Sequence, residues 1–317
     1  MKLATFQDFG NSKGPRVGVL VGDRLLDVVA ALATCGDTSG TDASSMRALL
    51  AGGRPSLAAV STLVDQFGAG GAAQLHPALL HPLDSITFLP PIPDADKFLC
   101  VGKNYRSHLE ELRRTDLIKE MPQEPTGFVK LNSCLTGHRQ DVVRPPSIVR
   151  LDYEPELVFV IGRRAFGVSE GEAMDYVAGI TLLNDLTCRD TQKREVASGS
   201  RFWTAKNAPG FGPLGPYIIT MDEVADPYDI WVTCSVNGEQ RMRVNTVDQI
   251  WKLPAILAHF SRLIPLEPGD MFSTGAPGGV AVGKPNAEAL YLQPGDTVEC
   301  GFEQPAMTLS NRIVAPA

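Results

Sequence analysis

The stretch "LVFVIG" at 157–162 carries no polar side chain, yet the chain enters it through two acids, Glu154 and Glu156. An apolar run of that length, bounded by turn residues, reads as a buried strand. Acids one residue apart on a strand share a face. Side by side they repel, and burying either carboxylate is costly unless it is paired or bound to a cation. Whatever this chain folds into must therefore bring positive charge to that strand. A divalent metal would satisfy both acids at once. On spacing alone, a solvated edge strand also accommodates the pair, because two glutamates at this separation are common.

The rest of the chain reads as β-rich. From residue 98 onward, short apolar runs such as "VAGITLLND", "YIIT", "IWVTCSVNG" and "DTVECGFE" alternate with turn residues. With 30 glycines and 24 prolines, turns are frequent, which disfavours a helix bundle. Residues 1–82 read as a small N-terminal α+β domain, and residues 83–317 as the catalytic domain. In the first, "MKLATFQ", "PRVGVLVG" and "RLLDVVA" are expected as strands, with a hairpin at Gly22-Asp23. Helices are expected near 44–50 and 56–67, followed by a flexible joint at "GAGGAAQ". Pro90, Pro91 and Pro93 hold the following segment extended. Further on, Ser169 and Glu172 form a capping-box pattern that predicts a short helix from Ser169. "VDQIWKLPAILAHFSRLI" predicts a longer helix with a kink or restart at Pro254.

A net charge of −7 argues against nucleic-acid or anionic-membrane partners, which would need a basic stripe. No apolar run approaches the ~20 residues that span a bilayer. The N-terminal "MKLATFQDFGNSKGP" lacks the apolar core of a signal peptide. The six cysteines are widely separated, as expected for reduced thiols in the cytoplasm.

Asp185 ends the run "VAGITLLND", where a strand emerges into a loop. Together, Glu154, Glu156 and Asp185 would form an all-oxygen site suited to Mg²⁺ or Mn²⁺, with Ca²⁺ also possible. Three carboxylates leave about three of six octahedral positions for water or substrate. A second constellation lies in "VGKNYRSHLEEL". His108 and Glu111 share a face if the stretch is helical, and a carboxylate that orients an imidazole makes it a general base. A solvated helix carrying chance charges fits the same letters.

Five segments, "GKNYRSHLEE", "LDYEPELVFVIGRRA", "LLNDLTCRDTQ", "FWTAKNAPGFGPLGP" and "GDMFSTGAPGGVAVG", occur in that order. Together they resemble the fumarylacetoacetate hydrolase superfamily over residues 96–314. The resemblance implies a mixed β-roll, usually dimeric, and a metal held by the three acids. It implies a water-activating dyad of His108 and Glu111 on a segment that orders as a lid, and Lys206 beside the metal. The candidate substrate-binding set is Arg106, Lys130, Gln192, Thr274 and Gly275, with Lys130 expected to support rather than react. Two departures stand out. "KNAPGF" replaces the family's "KSFDTF"-like stretch, and "RRTDLIKEMPQEPTG" lengthens the expected lid at 113–126.

A 2-oxo acid offers adjacent carboxylate and keto oxygens as a chelate for such a cation. The dyad favours hydrolysis of a C–C bond in a 1,3-diketo acid of the acylpyruvate or fumarylpyruvate type, with a pyruvate-type enolate as leaving group. Decarboxylation, isomerisation, or hydration and dehydration of 2-oxo acids on the same platform is the alternative, in aromatic or sugar-acid breakdown. A binding protein that had lost catalysis would lack an acid or the dyad histidine, and all are present.

Overall fold

The structure, a computed structural model, describes residues 1–8, 14–36, 40–69, 71–114, 122–200 and 202–316. Of the expected lid at 113–126, residues 115–121 lie outside the described residues.

The N-terminal segment supplies β1 (Lys2–Asp8), β2 (Arg16–Val21), β3 (Arg24–Asp27), β4 (Leu80–Pro82) and β5 (Ile86–Leu89). Between β3 and β4 lie the helices α1 (Val28–Cys35), α2 (Met46–Ala51), α3 (Gly53–Gly68) and α4 (Gly71–Leu75). Then follow β6 (Phe98–Gly102), α5 (Arg106–Arg114), β7 (Thr126–Val129), β8 (Pro155–Ile161), β9 (Val177–Asn184) and α6 (Arg189–Ala197). The chain closes with β10 (Ile218–Thr220), β11 (Trp231–Val236), β12 (Glu239–Asn245), α7 (Leu253–Ser261), β13 (Met271–Ser273), β14 (Thr297–Phe302) and β15 (Met307–Val314). This is the β-rich α+β architecture that the sequence predicts.

Among the described residues, one sheet runs β4-β3-β2-β1-β10-β9-β8-β13-β6-β7, with β5 on the far half of β1. The N-terminal strands join the rest directly, since Lys2 and Leu3 pair with Ile219 and Ile218. A second sheet stacks β12-β11-β14-β15 with the short strand Val142–Val143. Every residue of β8 is buried. Leu157, Phe159 and Ile161 pack into one apolar cluster, whereas Val158 and Val160 pack into another. A strand covered on both faces loses its polar alternation, which is why this segment reads as a continuous apolar run.

Four local expectations change. The segment at 24–30 is a strand only to Asp27, whose carboxylate accepts the Ala30 amide at 3.0 Å and starts α1. The expected joint at 68–74 instead includes the end of α3 and most of α4. The Ser169 hydroxyl bonds the Glu172 carboxylate at 2.5 Å instead of capping a backbone amide, and only a 3₁₀ turn, Ala173–Tyr176, follows. The long helix expected around Pro254 is shorter, because the proline sits in the first turn of α7 instead of kinking its middle.

Candidate metal centre and active-site cleft

Strand pairing assembles the acid cluster. β8 runs antiparallel to β9 with Pro155 opposite Asn184 and Glu156 opposite Leu183. The start of β8 therefore meets the end of β9, where Asp185 follows. The Asp185 amide donates to the Glu154 carbonyl at 2.8 Å, and the Asn184 side-chain oxygen accepts the Glu154 amide at 3.0 Å. β13 and β6 end at the same edge, bringing Ser273 and Gly102 alongside. Glu154, Glu156 and Asp185 are all buried, and a carboxylate oxygen from each lies within 4.8 Å of the others.

Basic side chains surround two of the three. Lys206 Nζ lies 2.5 Å from both Glu154 and Asp185. Lys130 Nζ donates to Asp185 at 2.7 Å and to the Lys206 and Phe211 carbonyls at 2.5 and 2.8 Å. Arg189 pairs with Glu154 at 2.6 Å and Asp152 at 2.8 Å. Burial opposes charge on Glu154, but Arg189 and Lys206 outweigh it and hold the carboxyl at about 2. Burial likewise opposes charge on Lys206, yet Asp185 and Glu154 raise its pKa above the usual lysine value. Glu156 is the exception. It receives the Ser273 hydroxyl and makes no ion pair among the described residues. Burial and the neighbouring Asp185 charge push it well above the usual carboxylate range.

That imbalance tests whether a metal fits. Four buried acids (Asp152, Glu154, Glu156, Asp185) face three buried cations (Arg189, Lys130, Lys206). The acid left without a cationic partner is Glu156, beside the other two candidate ligands, and its charged form is the one that burial and Asp185 disfavour there. A hard divalent cation among the three oxygens would offset that penalty, and the donor set suits such an ion.

His108 lies on α5, buried, with Nδ1 3.3 Å from a Glu111 oxygen. The other Glu111 oxygen accepts the Gly279 amide at 2.7 Å. The loop carrying Gly279 is anchored in turn by Asp152, which accepts the Ala281 and Val282 amides at 2.9 and 3.0 Å. Glycine at 283 leaves Glu111 room to sit where it does, since a Cβ there would stand 2.5 Å from the Glu111 carboxyl carbon.

His108, Glu154, Glu156, Gln192, Lys206 and Gly275 line one cleft, with Val101, Lys103, Phe128, Val196, Phe202 and Ala276 among the other wall residues. Gly275 has φ +88°, and a Cβ there would meet the Val101 carbonyl at 2.6 Å. Thr274 lies beneath the cleft, donating to the Leu157 carbonyl at 3.0 Å. Lys130 lies behind the acids, with its three contacts already made. Arg106 is exposed and directs its guanidinium to the Asp248 and Gln249 carbonyls at 3.4 and 3.3 Å, outside this lining. Sequence reasoning passed over Arg189, Asp152 and Ser273. Arg189 lay within a quoted motif, and the available signal was the need of buried acids for a permanently charged partner.

The family model for the fumarylacetoacetate (FAA) hydrolase C-terminal domain matches residues 97–314. The chain is 37% identical over 243 residues to oxaloacetate tautomerase FAHD2A, mitochondrial, of Homo sapiens, covering 77% of this chain and 73% of that one. Its structure is similar to that of maleylpyruvate hydrolase from Sphingobium sp. SYK-6 in complex with manganese(II) and pyruvate (TM-score 0.71, 26% identity, all of both chains). A comparable likeness holds to 5-carboxymethyl-2-hydroxymuconate delta-isomerase from Mycobacterium smegmatis (TM-score 0.70, 26% identity, all of both chains). With two-thirds of its length matched by that model and its acid cluster and cleft in place, the chain belongs to the fumarylacetoacetate hydrolase family.

Proposed function

We propose that the protein is a divalent-metal-dependent enzyme that moves a proton at the carbon next to the oxo group of a 2-oxo acid, a keto–enol tautomerisation. The observation that carries this reading is a buried histidine, oriented by a carboxylate, lining the same cleft as Glu154 and Glu156, two of the three clustered acids. Glu154, Glu156 and Asp185 would hold Mg²⁺ or Mn²⁺. Bound there, such an ion supplies Lewis acidity that makes the neighbouring carbon of the acid easier to deprotonate. His108 takes that proton and returns it to oxygen, while Glu111 keeps the ring in place. Lys206 holds two of the acids in position, and Gln192 presents its amide to the substrate side. The tautomerase named among the relatives supports this reading.

A second reading, hydrolytic C–C cleavage of a 1,3-diketo acid, is favoured by the same dyad. A histidine held by a carboxylate can take a proton from water as well as from carbon, with general-base catalysis contributing ~10²–10⁴-fold. The maleylpyruvate hydrolase structure supports it. The six cysteines are free thiols, which supports a reducing, cytoplasmic setting, and a homodimer is the assembly expected from the resemblance.

The deciding experiment strips the purified protein with chelator and restores Mg²⁺ or Mn²⁺. Interconversion of enol and keto oxaloacetate is followed by absorbance, and pyruvate release from acetylpyruvate is followed separately. Metal-dependent tautomerisation without pyruvate release supports the first reading. Pyruvate release transfers the conclusion to the second, and activity in neither assay overturns both.

A further inference from the structure

The aromatic part of the cleft wall has its own character. Phe128 and Phe202 meet edge to face, with ring centroids 5.4 Å apart at 88°. The Lys206 ammonium lies 5.2 Å from the first ring and 5.8 Å from the second. Val196, Val101 and Ala276 continue the apolar lining. Phe202 also adopts φ +43°, a backbone conformation that bulky residues rarely take. Strain of this kind persists where surrounding structure enforces it, and it concentrates at ligand clamps. Lys206, Lys130 and Arg189 are each engaged with the buried acids. Lys103, also in the lining, has an interaction of its own, so the aromatic wall meets a substrate tail mainly through apolar contact.

We propose that Phe202, backed by Phe128, is a specificity-determining residue that packs against the substrate's tail. It would select 2-oxo acids carrying a planar, apolar substituent over those carrying a second carboxylate. This rests on the reading of the cleft as a 2-oxo acid site. Aromatic packing adds to area burial, and together they supply enough free energy for about a 10-fold affinity difference.

Binding is measured by calorimetry on the Mn²⁺-loaded protein with pyruvate, phenylpyruvate and oxaloacetate, alongside tautomerisation of the last two. The unmutated protein is expected to bind phenylpyruvate about 10-fold more tightly than either other acid, and Phe202→Ala to reduce that ratio to about 2-fold. Phe202→Leu, which retains bulk, should fall between them and covers the case in which the alanine variant fails to fold. Equal affinities in the unmutated protein, tighter binding of oxaloacetate, or a ratio undiminished in both variants would overturn the inference. If the preference holds and falls as expected while neither acid is turned over, the proposed function fails and the tail assignment stands.

Discussion

The backbone amide of Asp185 donates to the carbonyl of Glu154 at 2.8 Å, closing the ladder between two neighbouring strands at the point where one begins and the other has just ended. This bond holds two carboxylates from separate segments against one another, although like charges repel. Lys206 spans both acids. The cluster is thus imposed by strand register and compensated by cations that come from elsewhere in the chain.

Arg189 is the buried partner of both Asp152 and Glu154. Replacing it with methionine leaves two buried acids short of positive charge. Loss of one member of such a network costs about 3–5 kcal/mol. Urea denaturation of Arg189→Met should show that loss as a lower midpoint at unchanged slope. An unaltered midpoint would show that the guanidinium is not needed to hold the acids.

His108→Ala should fold and bind metal as the unmutated protein does, because the ring lies outside the three-acid cluster. Turnover should fall ~10²–10⁴-fold, the range of general-base catalysis. Steady-state kinetics at saturating metal is the check, and a near-normal rate would remove the histidine from the mechanism.

Gly283→Ala tests the seat of Glu111. A Cβ at 283 would stand 2.5 Å from the Glu111 carboxyl carbon, and the flexible acid can yield by rotating away from His108. The expected outcome is an unchanged thermal midpoint with turnover reduced by up to ~10²-fold, as misplacement of a catalytic group produces. In a Glu111→Ala background the same change should have little further effect. Additive losses would mean that residue 283 acts by another route.

His138 provides a pH test away from the cleft. Burial, aided by the neighbouring Arg139 charge, lowers its pKa from 6.5 to about 4. Its Nδ1 accepts the Ser310 amide at 3.1 Å, a role that requires an unprotonated nitrogen. The unfolded chain binds the proton below 6.5 while the folded chain resists it down to about 4. Stability should therefore fall as pH drops through that window and level off below it. One proton sets a ceiling of ~1.4 kcal/mol per pH unit, and the ring's partial exposure keeps the slope beneath it. His138→Gln should remove this component from the pH dependence of unfolding. Identical curves for the two proteins would contradict it.

Much of the centre was legible because it is local. Glu154 and Glu156 flank Pro155 at the entrance to an apolar run, and Asp185 ends another, so strand logic alone nominates all three. His108 and Glu111 share one turn of helix. What escaped depends on contacts distant in sequence. Asp152 looks like one more acid until its bonds to Ala281 and Val282 are seen, 129 and 130 residues away. Arg106 has the charge expected of a substrate ligand, but α5 turns it outward to the Asp248 and Gln249 carbonyls. The helix at Val28 was misread for a local reason. Asp27 is an N-cap, and that signal was masked by the β-branched valines that follow it.

The central claim is that Glu154, Glu156 and Asp185 hold one divalent ion. Calorimetric titration of chelator-treated protein with Mn²⁺, set beside Glu156→Gln and Asp185→Asn, measures it directly. The account predicts one site per chain in the unmutated protein and severely weakened binding in each folded variant. Titration curves that superimpose across the three proteins would contradict it.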